Sequence, residues 1–169
     1  MKKENFLAEL GNWSNHRALL WPALEATKHL NLPVLELGCG DGSTPYLREY
    51  CADNNLTLHS YDYNEAYAKL FNVTHTDWSD FHNISKQKWA VALVDESPGE
   101  HRRMSIAALI NTEIIVVHDS EPKGWNSSDY QVRPLFSKFK HKFDLQSIKP
   151  GGAWATAVSN NFDVSKWKL

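Results

Sequence analysis

Short runs of apolar and β-branched residues alternate along the chain with segments of helical periodicity. Strand patterns fall at Val34–Leu37, Thr57–Tyr61, Ala90–Asp95 and Glu113–His118, with weaker ones at Asn72–Thr76, Phe143–Ile148 and Ala153–Ser159. The spacing predicts a helix over Thr44–Asn55, with Tyr46, Leu47, Tyr50 and Cys51 on one face, and another over Arg102–Ile110, with Met104, Ala107, Ala108 and Leu109 as its apolar set. Pro45 suits a first turn, and Ser43 or Thr44 stands where an N-cap belongs. The runs VALV (91–94) and IIVV (114–117) are apolar on both faces, the pattern of central parallel strands covered by helices on either side. The end of the chain differs. Its last two strand patterns flank Lys149-Pro150-Gly151-Gly152, a tight turn that implies a hairpin and therefore an antiparallel strand. The expected fold is α/β, a doubly wound, mainly parallel seven-stranded sheet with an antiparallel C-terminal hairpin strand and helices on both faces. Residues 1–31 read as an N-terminal helical segment and 32–160 as the core of one domain.

Composition agrees with one ordinary core. The 169 residues are 42% apolar and 22% charged, without repeat or low-complexity tract, which excludes a disordered chain. Eighteen Lys and Arg against twenty Asp and Glu leave a net charge of −2, and the basic residues are scattered apart from Lys138 to Lys142. That balance argues against nucleic acid as a partner. Residues 1–9 lack the apolar core of an export signal, and the longest apolar runs fall far short of the roughly 20 residues that cross a bilayer. Cys39 and Cys51 fit neither a disulfide scaffold nor a zinc spacing. A soluble, cytoplasmic protein is the expectation. Seven tryptophans are a high count, and some belong at the surface or in a pocket.

The sharpest signal is Leu35-Glu36-Leu37-Gly38-Cys39-Gly40-Asp41-Gly42-Ser43-Thr44, between the first strand pattern and the first helix pattern. Alternating glycines allow a tight turn and close backbone approach to a ligand, and the helix start that follows points free N–H groups at it. A dinucleotide fingerprint would need glycine at position 43, and a phosphate-binding P-loop would need Gly-Lys-Ser/Thr; neither is present. Asp62, at the end of the second strand pattern and 20 residues beyond Gly42, is placed to accept hydrogen bonds from ribose hydroxyls.

With these residues the sequence resembles the class I S-adenosylmethionine-dependent methyltransferases. Glu36-x-Gly38-x-Gly40-x-Gly42 looks like their first motif, Asp62 like the acidic residue of the second, and Thr76-Asp77-Trp78 like the adenine region after the third strand. The resemblance spans about residues 30–159. It implies that Gly38, Gly40 and Gly42 line the methionine part of the cofactor, with Ser43 among the cofactor-binding residues. It further implies that Glu36 lies near the ammonium group, that Asp77 meets the adenine amino group and that Trp78 stacks on the ring.

An oxygen or nitrogen acceptor loses a proton on methylation, which calls for a general base or a metal. In an open α/β sheet such groups come from the carboxyl ends of the central strands. Asp95 follows the fourth strand pattern, and His118 and Asp119 end the fifth. These three are the candidate catalytic residues. Asp95 and Asp119 are also candidate ligands for Mg²⁺ or another divalent ion, an arrangement similar to the metal-dependent O-methyltransferases. The alternative keeps the two aspartates as helix caps and His118 as a base or a hydrogen-bonded core residue. His101 and Arg102 read as surface residues, pairing with Glu100 or meeting an acidic substrate. Asp95-Glu96-Ser97-Pro98 lacks the stacking aromatic of nucleic-acid amino-methyltransferases, and no Pro-Cys dipeptide supplies a cytosine-C5 nucleophile. Trp13, His16 and Arg17, and the segment 123–130 with Trp125 and Tyr130, are the expected borders of the acceptor pocket. The expected activity is methyl transfer to an oxygen or nitrogen of a small molecule. Aminopropyl transfer and non-catalytic cofactor or nucleotide binding are the alternatives, and a core this small invites a second copy to complete its pocket.

Overall fold

A computed structural model describes residues 1–11, 14–77, 81–125, 130–147 and 151–169. Trp13, Trp78, residues 126–129 of the expected pocket border and Lys149-Pro150 of the expected turn lie outside these. The order is α1 (Lys3–Phe6), α2 (Arg17–Thr27), β1 (Val34–Leu37), α3 (Thr44–Asp53), β2 (Leu58–Asp62), α4 (Glu65–Phe71), β3 (Thr74–His75), α5 (Phe81–Lys86), β4 (Val91–Val94), α6 (Arg102–Ala108), β5 (Ile114–His118), β6 (His141–Leu145) and β7 (Ala155–Ser159). One seven-stranded sheet runs β3-β2-β1-β4-β5-β7-β6. All described pairings among β1 to β5 are parallel, and β7 pairs antiparallel with both β5 and β6. This is the doubly wound fold with a C-terminal hairpin that the hydrophobic pattern predicts.

The strands with apolar residues on both faces occupy the middle, where each face meets its own layer. Val34, Val91, Leu93, Ile114 and Val116 pack with Leu20, Leu24 and Leu47 of α2 and α3. Leu35, Leu37, Ala92, Val94, Ile115 and Val117 pack on the other side with Ile106 of α6 and with Phe136. The period of two sorts one short run into two cores.

Several boundaries depart from the sequence expectation, among them the last two strands, which are His141–Leu145 and Ala155–Ser159; two departures have a clear local reason. Asn72 takes a left-handed conformation (φ 50°) that ends α4, so β3 is confined to two residues. Ser43 sits at the start of α3 without capping it, because its hydroxyl is engaged by Glu36.

Register then sets the site. Leu37 is paired with Val94, and Val94 with Val117. The next residue on each strand path, Gly38, Asp95 and His118, therefore falls in one row at the carboxyl edge of the sheet.

Candidate active site

Gly38 leaves β1 at φ 86°, and a Cβ built there would lie 2.4 Å from the Asp95 carbonyl oxygen. Glycine is needed twice over, for the backbone angle and for the approach of the two strand ends. The Cys39 N–H then donates to Asp62 Oδ2 at 2.9 Å, and the Asn64 N–H donates to Asp62 Oδ1 at 2.7 Å. Asp62 thus ties the glycine loop to the start of α4, which Asn64 caps by accepting from the backbone N–H groups of Ala66 and Tyr67. The Cys39 thiol adds a third donor to Asp62, 3.2 Å from Oδ2.

Beneath the loop, Glu36 Oε1 accepts from the hydroxyls of Ser43 (2.6 Å) and Thr44 (3.0 Å). Thr44 Oγ1 in turn accepts from the Gly40 N–H at 3.0 Å. Glu36 is wholly buried. Burial pushes its carboxyl above the usual range, against the pull of the Ser43, Ser60 and Thr44 hydroxyls. Gly40 faces open space, with no atom within 4 Å of where its Cβ would stand.

Two clefts flank the loop. One, about 480 Å³, is bordered by Gly38, Cys39, Asp62, Tyr67 and Asp95; the other, about 370 Å³, by Gly40, Gly42, Ser43, His16 and again Asp95. A narrow, mostly apolar slot opens between the ends of β1, β2 and β4, lined by Leu37, Tyr61, Tyr63, Asp77, Phe81 and Glu96. Glu96 is buried there; the Ser105 hydroxyl donates to its Oε1, Oε2 has no partner among the described residues, and burial pushes its carboxyl up to about 7.

At the ends of β4 and β5 the three acceptor-side candidates converge. His118 Nδ1 lies 3.1 Å from Asp95 Oδ1 and 3.7 Å from Asp119 Oδ2. Burial would depress His118, yet the neighbouring carboxylates, Asp95 first, push it up to about 8. Burial likewise opposes ionisation of Asp95, but His118 and Arg102 hold its carboxyl well below the usual range.

Arg102 organises this cluster. Expected at the surface, it is 5% exposed, and all five of its N–H donors are engaged. Nε donates to the Glu96 carbonyl, Nη1 to the His118 carbonyl and Asp119 Oδ2 (2.8 Å), and Nη2 to the Asp95 carbonyl and Oδ1 (3.0 Å). Its guanidinium carbon stands 4.6 Å from the centroid of the Tyr130 ring. Arg102 thus stands between Asp95 and Asp119, the two expected metal ligands, and pairs with both.

The N-terminal segment contributes His16. Its ring meets that of His118 edge-on at 4.7 Å, it is 1% exposed, and neither ring nitrogen has a partner among the described residues. Burial, then the neighbouring His118, lowers its pKa to about 3. Arg17 is not among the residues lining either cleft. It is buried, donates to the carbonyls of Phe6 and Ala8, and stacks on Tyr46. Trp125 anchors its loop, donating to the Gly152 carbonyl at 2.8 Å and packing on Trp154.

Sequence reasoning did not single out Glu96 or the central place of Arg102. An acidic residue directly after a strand and an arginine opening a helix are both commoner at surfaces, and only the tertiary fold encloses them.

No family model matches the chain, and no curated protein matches it in sequence. Solved structures do match in fold. An S-adenosylmethionine-dependent methyltransferase from Archaeoglobus fulgidus aligns over 93% of this chain and 97% of its own, with a TM-score of 0.54 and 12% identity. The methyltransferase domain of bacterial CtHen1 aligns over 87% and 99%, with a TM-score of 0.57 and 13% identity. The chain has the class I methyltransferase fold. A spermidine synthase in complex with the transition-state analogue AdoDATO shares it, aligning over 91% of this chain and 61% of its own with a TM-score of 0.60 and 14% identity.

The residues of this methyltransferase fold suit an adenosyl ligand. The clefts fall within the range of about 300–1,000 Å³ common for small-molecule sites. Gly40 leaves its face of the loop clear. Of the roughly four acceptor positions on a carboxylate, three of Asp62's are taken, leaving one on Oδ1, and Asp62 is among the residues lining the larger cleft.

Proposed function

We propose that this chain is an S-adenosylmethionine-dependent methyltransferase acting on an oxygen or nitrogen of a small-molecule acceptor. The observation that carries the reading is the double role of Asp95. It borders both clefts beside the glycine loop and is hydrogen-bonded to His118, so cofactor side and acceptor side meet at one carboxylate.

When bound, S-adenosylmethionine supplies an electrophilic methyl group on a sulfonium. The loop Gly38–Gly42 and Ser43 accommodate its methionine part, and Glu36 acts from beneath by holding Ser43 and Thr44 in place. Asp62 receives the ribose hydroxyls, a second of which takes the position of the Cys39 thiol. The slot beside Tyr63 and Asp77 receives the adenine, with Asp77 toward its amino group. Asp95 and His118 deal with the proton that the acceptor sheds, and Arg102 fixes both by gripping the Asp95 carboxylate and the His118 carbonyl. Asp119 balances Arg102.

The likeness to a spermidine synthase raises aminopropyl transfer to an amine, which would need unpaired carboxylates to hold a cationic acceptor. Asp95 and Asp119 are already matched by Arg102 and His118. That charge balance favours a neutral acceptor and the methyl reading.

Calorimetric titration with S-adenosylmethionine and S-adenosylhomocysteine, with NAD as control, tests the cofactor. Micromolar binding of both, lost in Asp62→Ala, followed by transfer of labelled methyl to an acceptor pool, supports the reading. Absence of adenosyl binding at millimolar ligand refutes it.

A further inference from the structure

Buried polar groups are almost always hydrogen-bonded, and a histidine in a packed interior ordinarily gives one nitrogen to a donor and the other to an acceptor. His16 breaks that rule. It is 1% exposed, both of its nitrogens lack partners among the described residues, and it borders the cleft beside the glycine loop. It is not placed there by helix packing alone. The turn that carries it is tied across the sheet edge by Asn15, whose side-chain amide donates to the Ala153 carbonyl at 2.7 Å.

One ring nitrogen of His16, one of His118 and one carboxylate oxygen of Asp95 lie within 4.8 Å of one another. Two ligand atoms each about 2.1 Å from a common ion stand about 3.0–3.4 Å apart, depending on whether the geometry is octahedral or tetrahedral. The separation of 3.1 Å between His118 Nδ1 and Asp95 Oδ1, a hydrogen bond in this structure, falls in that span, so an ion there takes the place of the proton shared by the two groups.

We propose that His16, Asp95 and His118 form a binding site for one divalent first-row transition-metal ion, with its remaining coordination positions open to the cleft. Two imidazoles and one carboxylate are the mixed nitrogen and oxygen set that suits Mn²⁺, Fe²⁺ or Zn²⁺ and disfavours Mg²⁺, which prefers oxygen alone. The set differs from the pair Asp95 and Asp119. Arg102 holds both aspartates, Asp95 at 3.0 Å and Asp119 at 2.8 Å, but only Asp95 lies with both imidazoles, and the third ligand comes from ahead of the sheet. Three protein ligands leave room for an exogenous one, the mark of a reactive rather than a purely structural site.

The arrangement also gives Arg102 a second task. It grips the Asp95 carboxylate and the His118 carbonyl, fixing two of the three ligands as supporting hydrogen bonds do in metal sites generally. On the methyltransferase reading above, and resting on it, the ion would take over from Asp95 and His118 the task of making the acceptor hydroxyl acidic beside the methyl donor.

The test uses the full-length protein freed of metal by chelation and titrated calorimetrically with Mn²⁺, Zn²⁺ and Mg²⁺ in the absence of S-adenosylmethionine. Visible absorption of added Co²⁺ serves as a direct signature of the ligand set. One ion of Mn²⁺ or Zn²⁺ per chain with micromolar affinity, weakened at least about tenfold in His16→Gln and in His118→Gln but not in His29→Gln, supports the site. Circular dichroism of each variant shows whether it is folded. If His16→Gln does not fold, the Co²⁺ spectrum of the wild-type protein decides between imidazole nitrogen and all-oxygen ligation. No stoichiometric ion in the wild-type protein, a preference for Mg²⁺, or binding unchanged in folded His16→Gln overturns the proposal. Stoichiometric metal without methyl transfer would leave the site standing and remove the methyltransferase reading. Methyl transfer by the chelated protein would do the reverse for the ion's role.

Discussion

Arg102 Nη1 donates to Asp119 Oδ2 at 2.8 Å, so the first residue of α6 neutralises the carboxylate at the end of β5. Breaking a buried pair from one side leaves an uncompensated charge, which costs about 3–5 kcal/mol. Arg102→Met should lower stability by that amount in urea denaturation. Adding Asp119→Asn to the same chain should restore part of the loss, because one of the two stranded carboxylates is then neutral. Equal stability of the single and double variants would show that the pair is not coupled.

Gly38→Ala meets both a positive φ and a backbone oxygen at 2.4 Å. The expected loss is about 2–4 kcal/mol, read as a lowered denaturation midpoint at unchanged slope. Gly40→Ala, with open space at its Cβ, should keep the fold and weaken adenosyl binding instead. The two glycines thereby separate a folding requirement from a ligand requirement.

Cys39→Ala removes a thiol contact to Asp62 and leaves the Cys39 N–H in place. Affinity for S-adenosylhomocysteine should be kept or slightly raised in calorimetry, since an acceptor position on Asp62 opens. A large loss would mean that the thiol itself contacts the ligand.

Asp144 accepts from Thr156 Oγ1 at 2.7 Å and from Arg133 Nη2 at 2.9 Å, and pairs with Lys142 at 3.0 Å. Burial opposes its ionisation, but the hydrogen bonds from Arg133 and then Thr156 and Lys142 outweigh it and hold the carboxyl below the usual range. Its folded pKa lies under the unfolded one, so its contribution is full above about pH 4 and is lost as the pH falls through the folded value. Screened by solvent, it amounts to about 1 kcal/mol. Asp144→Asn should lower the melting temperature at neutral pH, and the gap to the wild-type protein should narrow steadily as the pH is taken down through and below the ordinary aspartate range.

The central strands, the glycine loop and the C-terminal hairpin were legible because each rests on local sequence. VALV and IIVV declare strands buried on both faces, and Gly38, Gly40 and Gly42 declare a turn before a helix. What stayed hidden depends on partners distant in sequence. Ser43 reads as a helix cap until Glu36 is seen to engage its hydroxyl. Arg102 reads as a surface residue beside Glu100 until the ends of β4 and β5 close around it. His16 could be placed near the pocket mouth from its position in the chain, but its contact with His118 exists only once the N-terminal segment crosses the sheet edge.

The place of β7 between β5 and β6 has a consequence for synthesis. A chain emerging from its N-terminus completes β5 and β6 before the strand that must lie between them exists. Until residues 155–159 arrive, the apolar edge Ile114–Val117 presents unpaired backbone N–H and carbonyl groups, the feature on which strands of different molecules join. The nascent chain is therefore most prone to aggregation just before its last strand is made, and a stop codon near residue 150 should yield insoluble protein rather than a smaller soluble domain.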